Sequence, residues 1–395
     1  MKQFGSRLHS IDVFRAVTMF LMIFVNDVDG VENIPEWIKH VGAHTDGLGF
    51  ADTIFPAFLF IVGLSLPFAI TNRVNKGYSR SEVAGYIAIR GLALLIMGFL
   101  HVNLENYNDS AVLPKAAWEI LITISFFLIW LDYPRQMNKQ RRYLLQGIGI
   151  VLLLILAFLF KGGTAQEPAG LQPHWWGILG LIGWSYLICA TIFLFSKGNL
   201  PVLVFALLFF LFLDVGWNAG WLASLAFLRK HVWIVGDGSM PAFTMAGVVI
   251  SVIHSRLVQQ GKQTTFWMIL LASAAGFISF GFIVRPFGGI SKINATPGWV
   301  GICTGISIIF FGLIIFIVDI KGRQNWFQVI RPAGTSTLTC YLISYLLYSV
   351  YSLINFHFPA FLSQGVGGIL KSFATAFIVI FIAGYLEKKR LRLSV

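Results

Sequence analysis

Within KHVGAHTDGLGFADTIFPAFLFIVG, residues 39 to 63, a polar half carrying His40, His44, Asp46 and Asp52 runs into an unbroken apolar half. An imidazole exchanges its proton near neutral pH, so His40 or His44 suits the work of a general base or nucleophile. A carboxylate such as Asp52 can fix the tautomer of a neighbouring imidazole. In a helix's first turn it is equally placed to cap, favoured by the helix dipole. Asn26, near the end of the preceding apolar run, offers two donors and an acceptor that can orient a carbonyl or an imidazole, or it can serve as a helix C-cap. His40, His44 and Asp46 lack a third strong ligand at suitable spacing, so no metal is expected.

A polar side chain inside an apolar span is costly unless it pairs or faces water, which makes each one a candidate. Asp12 and Arg15 stand at i,i+3, close enough to pair on one helix face. Arg90 falls in the inner half of the third span, where it either snorkels to the surface or meets a phosphate. His101, Glu105, Glu119, Asp214 and His254 are further polar residues in or beside spans. In SKINATPGWVG, 291 to 301, Lys292, Asn294 and Thr296 stand at the entrance of the tenth span and can face the same cavity as His40. Cys189, Cys303 and Cys340 lie inside apolar runs without CxxC spacing, which reads as packing.

The elements that must position these residues are set by composition. A chain of 395 residues that is 57% hydrophobic and 12% charged is an integral membrane protein. Twelve apolar runs have the length of membrane helices, at 10–27, 50–72, 82–102, 114–132, 143–161, 175–196, 199–215, 240–257, 266–284, 297–319, 334–355 and 364–386. The first has a basic prelude but no small-residue cleavage pattern, so it reads as a helix and not as a signal peptide. The expectation is an all-α polytopic integral membrane helical bundle of about twelve transmembrane helices in one domain, 1–395.

Lys and Arg collect on the cytoplasmic side of short loops. With both termini cytoplasmic, only Lys39, Lys115, Lys161, Arg229, Lys230, Arg285 and Lys292 fall on the other side. The His40 loop is then outside, and the net charge of +12 is mostly topology and gives no reason to expect nucleic-acid binding. Loops 28–49, 103–113, 162–174, 216–239 and 285–296 are long enough to fold back and roof a cavity. In 216–239, Trp217, Trp221 and Trp233 with Leu222, Leu225, Ala226 and Leu228 fit a short interfacial helix.

RLHSIDVFRAVTMFLMIFVND (7–27) and the 39–63 stretch resemble the heparan-α-glucosaminide N-acetyltransferase family and its bacterial relatives. The shared features are the Leu-x-Ser-Ile-Asp-x-Phe-Arg opening, a first helix ending Phe-Val-Asn, a loop histidine, and Gly-Leu, Ala-Asp and Phe-Pro leading into the second helix. Beyond residue 63 the resemblance rests on helix order and the Lys-containing entry to the tenth span. The loop is two residues longer than the family's, so His44 competes with His40, and Lys39 before it favours His40. Trp118 and Glu119 stand where relatives show a Gln-Arg pair, and the sixth and seventh helices are additional.

The resemblance implies transfer of acetyl from cytosolic acetyl-CoA to the amine of a glucosamine-type sugar across the membrane. It carries over Asn26, His40 and Asp52. Arg15, Arg90, His44, Lys292 and Asn294 are expected around the substrates, with Arg15 or Arg90 on phosphates. The implied partners are the lipid bilayer and an amino-sugar acceptor, with room for a homodimer, and the implied setting is a bacterial cytoplasmic (inner) membrane with the His40 loop periplasmic. The rival reading from twelve helices is a transporter of amino sugars or cell-wall sugar fragments, against which no paired inverted repeats or matching broken helices are visible.

Overall fold

A computed structural model describes residues 8–134, 136–164, 166–227 and 235–394. Each of the twelve apolar runs is a helix: α1 (His9–Val28), α2 (Ala51–Asn75), α3 (Arg80–Asn103), α4 (Lys115–Trp130), α5 (Lys139–Leu159), α6 (Ile178–Ser196), α7 (Leu200–Asn218), α8 (Ser239–Gln259), α9 (Gln263–Ile283), α10 (Pro297–Ile314), α11 (Thr337–Leu353) and α12 (Gly365–Lys388). A π-helical turn, Ile315–Ile320, extends α10. Among the described residues nine of these helices are long and apolar enough to cross a membrane. The other three are α1, which carries Asp12, Arg15 and Asp27, and the shorter α4 and α11, of 16 and 17 residues. The chain is an all-α polytopic membrane protein, and the strands described are one pair of two residues each, Gly162–Gly163 and Pro168–Ala169.

The direction of the helices follows from which loops touch. At one end the α1–α2 loop bonds the α9–α10 loop, through the Gly47 N–H to the Ile290 carbonyl at 3.0 Å. There too the Glu32 N–H donates to Ser363 in the α11–α12 loop, and the Asn108 N–H donates to Lys161 in the loop after α5. At the other end Arg392, beyond α12, pairs with Asp132 after α4 at 3.1 Å, and Arg256 near the end of α8 donates to the Gly198 carbonyl before α7 at 2.7 Å. Loops that follow odd-numbered helices meet one another, and so do the segments after even-numbered helices. Successive helices therefore alternate in direction through the bundle.

The helix that carries Asp52 is fixed by an unusually close backbone crossing. A Cβ on Gly63 of α2 would stand 1.9 Å from the Thr244 carbonyl, and one on Gly247 of α8 would stand 2.0 Å from the Phe60 carbonyl. Lipid tails give apolar helices no hydrophobic reason to associate, so close packing through small residues takes over. Ser251 adds a hydrogen bond from its Oγ to the Leu64 carbonyl, 2.9 Å away. Replacing Gly247 with Leu must prise α2 from α8, and we expect a loss of about 3 kcal/mol, read as a lowered melting temperature in detergent. An unchanged melting curve would contradict this account of the crossing.

The interfacial helix expected in 216–239 falls partly outside the described residues, which omit Leu228, Arg229, Lys230 and Trp233. What is described there is one 3₁₀ turn, Ala223–Leu225, and Trp221 standing edge-on to Phe287 with ring centroids 5.7 Å apart. Of the basic residues that set the expected orientation, Lys2, Arg7 and Arg135 also lie outside the described residues.

Candidate active site

Asp52, in the first turn of α2, has a side chain only 2% exposed, and its Oδ1 lies 2.7 Å from Nδ1 of His40, which is 27% exposed. Its Oδ2 accepts the backbone N–H groups of Val41 and Gly49, each at 3.1 Å. The Asp52 carbonyl accepts Nε1–H of Trp299 from α10 at 3.0 Å. The carboxylate thus orients the imidazole and ties the loop to the helix start. Gly49 makes this approach feasible, since a Cβ there would stand 2.0 Å from the Lys39 carbonyl.

A carboxylate accepts and does not donate, so the proton on the His40–Asp52 contact sits on Nδ1. In the neutral imidazole that leaves Nε2 with its lone pair. Lys292 Nζ stands 3.1 Å from Nδ1 and 3.3 Å from Nε2. A point nearly equidistant from both ring nitrogens lies along neither in-plane lone pair, so Nε2 stays available to a reacting group. Burial holds the Lys292 amine below the usual lysine value, an effect partly offset by the negative charges of Asp52 and Asp29.

The loop that presents His40 is strapped to the one that presents Lys292. Asp46 accepts the Ile290 N–H at 2.7 Å and Arg285 Nε–H at 2.9 Å. Those two donors, the backbone one first, hold its carboxyl below the ordinary range. Asn294 donates to the Ala43 carbonyl at 2.8 Å, which makes it a loop fastener in this arrangement. His44 is exposed, beside Ala43 in that loop. Asn26 is exposed at the same end of the bundle, one turn before Asp29, with no hydrogen bond to His40. It is not a C-cap: α1 continues to Val28, and Asp29 is the capping residue.

Arg15 and Arg90 are not brought to this cluster. Arg15 pairs with Asp12 at 3.5 Å, as the i,i+3 spacing anticipates, and bonds Ser65 Oγ and the Gly334 carbonyl. Arg90 bonds the Tyr86 hydroxyl at 3.1 Å and stacks over Tyr186. Glu119 accepts Ser349 Oγ–H of α11 at 2.7 Å, and Trp118 is fully buried with its indole bonded to the Leu156 carbonyl. Sequence reasoning missed Lys371 of α12, whose ammonium lies 2.9 Å from Asp27. A lone lysine inside an apolar span was the signal available for it. Among the described residues no group of three or more His, Cys, Asp or Glu is arranged to hold a metal ion.

Beside the His40 cluster opens a cavity of about 790 Å³ whose walls include Trp175, Trp176, Trp184, Trp299, Ser185 and Lys292. Two of these residues also belong to the cluster: Lys292 touches His40, and Trp299 bonds Asp52.

Residues 7–161 match the sequence profile described as "Heparan-alpha-glucosaminide N-acetyltransferase, catalytic". The chain is 39% identical over 102 residues to the human heparan-alpha-glucosaminide N-acetyltransferase, a stretch covering 26% of this chain and 14% of that protein. To the mouse protein of that name it is 36% identical over 104 residues, 26% of this chain and 15% of the mouse one. The match therefore spans about one seventh of the length of these curated relatives.

Proposed function

We propose, from the match of residues 7–161 to the heparan-α-glucosaminide N-acetyltransferase profile, that this chain is a membrane acetyltransferase of that kind, moving acetyl from acetyl-CoA to the amine of a glucosamine-type sugar. His40 is the general base or the transient acetyl carrier. Asp52 sets its tautomer, and Asn26 donates to the acetyl carbonyl. The observation that carries the reading is the His40–Asp52 contact at 2.7 Å, with Lys292, a wall of the neighbouring cavity, against the same imidazole.

In the direct form of the reaction Nε2 takes the proton of the attacking amine, the C–N bond forms, the C–S bond breaks, and the proton passes to the departing sulfur. In the carrier form Nε2 forms the N–C bond as the C–S bond breaks and CoA leaves as thiolate; the amine then forms its C–N bond as the Nε2–C bond breaks, and its proton passes to the CoA thiolate. Either way negative charge develops on the acetyl oxygen, where preorganised donors have their largest effect. Arg15, with a side chain 21% exposed, or Arg90, held between two tyrosines, is the cation offered to donor phosphates. The acetyl donor is expected from the cytosolic side and the sugar from the side of the His40 loop.

The test is CoA release by the purified protein in detergent, given acetyl-CoA with and without glucosamine. Amine-dependent release supports the transferase. No release of CoA with glucosamine or with any other amino sugar would remove it and favour transport, which needs a sealed compartment.

Lys292 supplies a pH signature. Its ammonium can stabilise the developing oxyanion, and it exists only below the pKa of the amine. Because burial moves that pKa down from 10.5, activity should fall on the alkaline side at lower pH than an ordinary lysine would dictate. Lys292→Met is expected to lose about 100-fold in kcat and to lose that alkaline limb. Lys292→Arg, whose cation persists, should retain activity where the wild type fades. An unchanged alkaline limb in the methionine variant would discard this role.

A further inference from the structure

A basic side chain inside a membrane helix is costly unless an acid or water meets it. Arg15 has Asp12 at 3.5 Å, and Lys371 has Asp27 at 2.9 Å. Arg90, in the middle of α3, departs from this pattern. It has no carboxylate within ion-pair distance among the described residues, and its Nε lacks a hydrogen-bond partner there. Its one hydrogen bond among them runs from Nη1 to the Tyr86 hydroxyl, a neutral acceptor, and the Tyr186 ring lies 5.2 Å from its guanidinium carbon.

A second guanidinium shares the same phenol. Arg73, in the last turn of α2, stacks on the face of Tyr86, 3.3 Å from the ring centroid, and it too has no carboxylate partner among the described residues. Glu82, the nearest acid in sequence to Tyr86, is engaged elsewhere: its carboxylate accepts the backbone N–H and the hydroxyl of Ser79, each at 2.7 Å. One tyrosine thus gathers two cations and no anion, and ring faces offset only part of that charge. The cluster lies toward the end of the bundle opposite His40, because α2 leads away from Asp52 and α3 returns from Arg80. Both arginines are half-buried, and Ile89 and Leu92 beside Arg90 are 69% and 57% exposed. This stretch of α3 faces lipid, and none of Arg73, Tyr86, Arg90 and Tyr186 is among the described walls of the cavity beside His40.

We propose that Arg73 and Arg90 form a site for the phosphate of an anionic phospholipid, at the membrane surface opposite the His40 loop. A guanidinium presents a planar fork of N–H donors that matches phosphate oxygens, and the apolar stem of Arg90 carries its head past Tyr86 toward that surface. The acyl chains lie along the exposed face of Ile89 and Leu92. A lipid is favoured over a soluble anion because the cations stand among lipid-facing residues. Lys76 and Arg80, exposed between α2 and α3, add the positive rim that draws an anionic headgroup. The site is independent of the transferase reading. It gives Arg90 a lipid partner and leaves Arg15 as the cation for donor phosphates.

The test is the melting temperature of the full-length protein in a neutral detergent, with phosphatidylglycerol as the probe and phosphatidylcholine, inorganic phosphate and coenzyme A as comparisons. Phosphatidylglycerol is expected to raise the melting temperature by about 3 °C over phosphatidylcholine or inorganic phosphate. Arg90→Met and Arg73→Met should each lose most of that gain, and Lys76→Ala, at the rim, should keep most of it. Because Arg90 has no acid to leave behind, Arg90→Met should melt no lower than the wild type in detergent alone, which separates a lost lipid from a damaged fold. No gain from phosphatidylglycerol in the wild type, or an equal gain in Arg90→Met, overturns the site. Inorganic phosphate that protects as well as the lipid overturns it in favour of a soluble anion. Coenzyme A protection that Arg90→Met abolishes returns Arg90 to the donor and overturns it as well. A marked drop for Arg90→Met in detergent alone would reveal a partner within the bundle and remove the premise.

Discussion

His40→Ala is expected to cut acetyl transfer by about 10⁴-fold, the upper end of what a positioned base contributes, while the protein still inserts, purifies and melts as the wild type does. The imidazole is 27% exposed and fills no core position, so its loss should cost little stability. His44→Ala, at an exposed site, is expected to keep normal turnover. The pair is best measured together as acetyl-CoA-dependent N-acetylation. Wild-type rates in His40→Ala would take the histidine out of the chemistry and bring His44 forward. A stoichiometric burst of CoA release without acceptor would further identify His40 as the acetyl carrier, because direct transfer releases none.

Asp52→Asn should lower kcat by roughly 10³- to 10⁴-fold, as expected when a carboxylate no longer fixes the tautomer of a catalytic imidazole. The reasoning is a count of donors and acceptors. Both carboxylate oxygens are in use, one toward His40 Nδ1 and the other by the N–H groups of Val41 and Gly49. An amide has one acceptor oxygen and an NH₂. If the oxygen serves the two backbone donors, the NH₂ faces His40 and forces its proton to Nε2, the atom needed for the reaction. If the oxygen serves His40, the NH₂ faces two N–H groups and the loop loosens. The first case lowers kcat with little change in melting, and the second lowers both. A variant that turns over within a few-fold of the wild type would show that Asp52 only caps α2.

The helices were legible because the membrane imposes a length and a polarity on each of them, and all twelve apolar runs coincide with observed helices to within a few residues. Asp12 with Arg15 and His40 with Asp52 could be paired because each pair is close in sequence. The contact of Lys292 with His40 spans 252 positions. Nothing local encodes it, and it exists because the α1–α2 and α9–α10 loops emerge at the same end of the bundle. Asn294 and Asp46 show the same limit: both were legible as polar loop residues, but their tie to each other's loop depends on distant backbone groups. Asn26 was misread as an alternative cap because helix ends are blurred by a turn at sequence level. The four-tryptophan cavity was invisible because its walls come from segments more than 100 residues apart.

Trp299 gives these parts a further property. One indole is both a wall of the cavity and the donor to the carbonyl of Asp52, with no other residue between the two duties. An occupant that shifts that ring must also shift the peptide that aims the carboxylate, so the two compartments share a coupling free energy, and such coupling is reciprocal. A change in the position of that ring is therefore expected to alter how the Asp52 carboxylate is presented to His40.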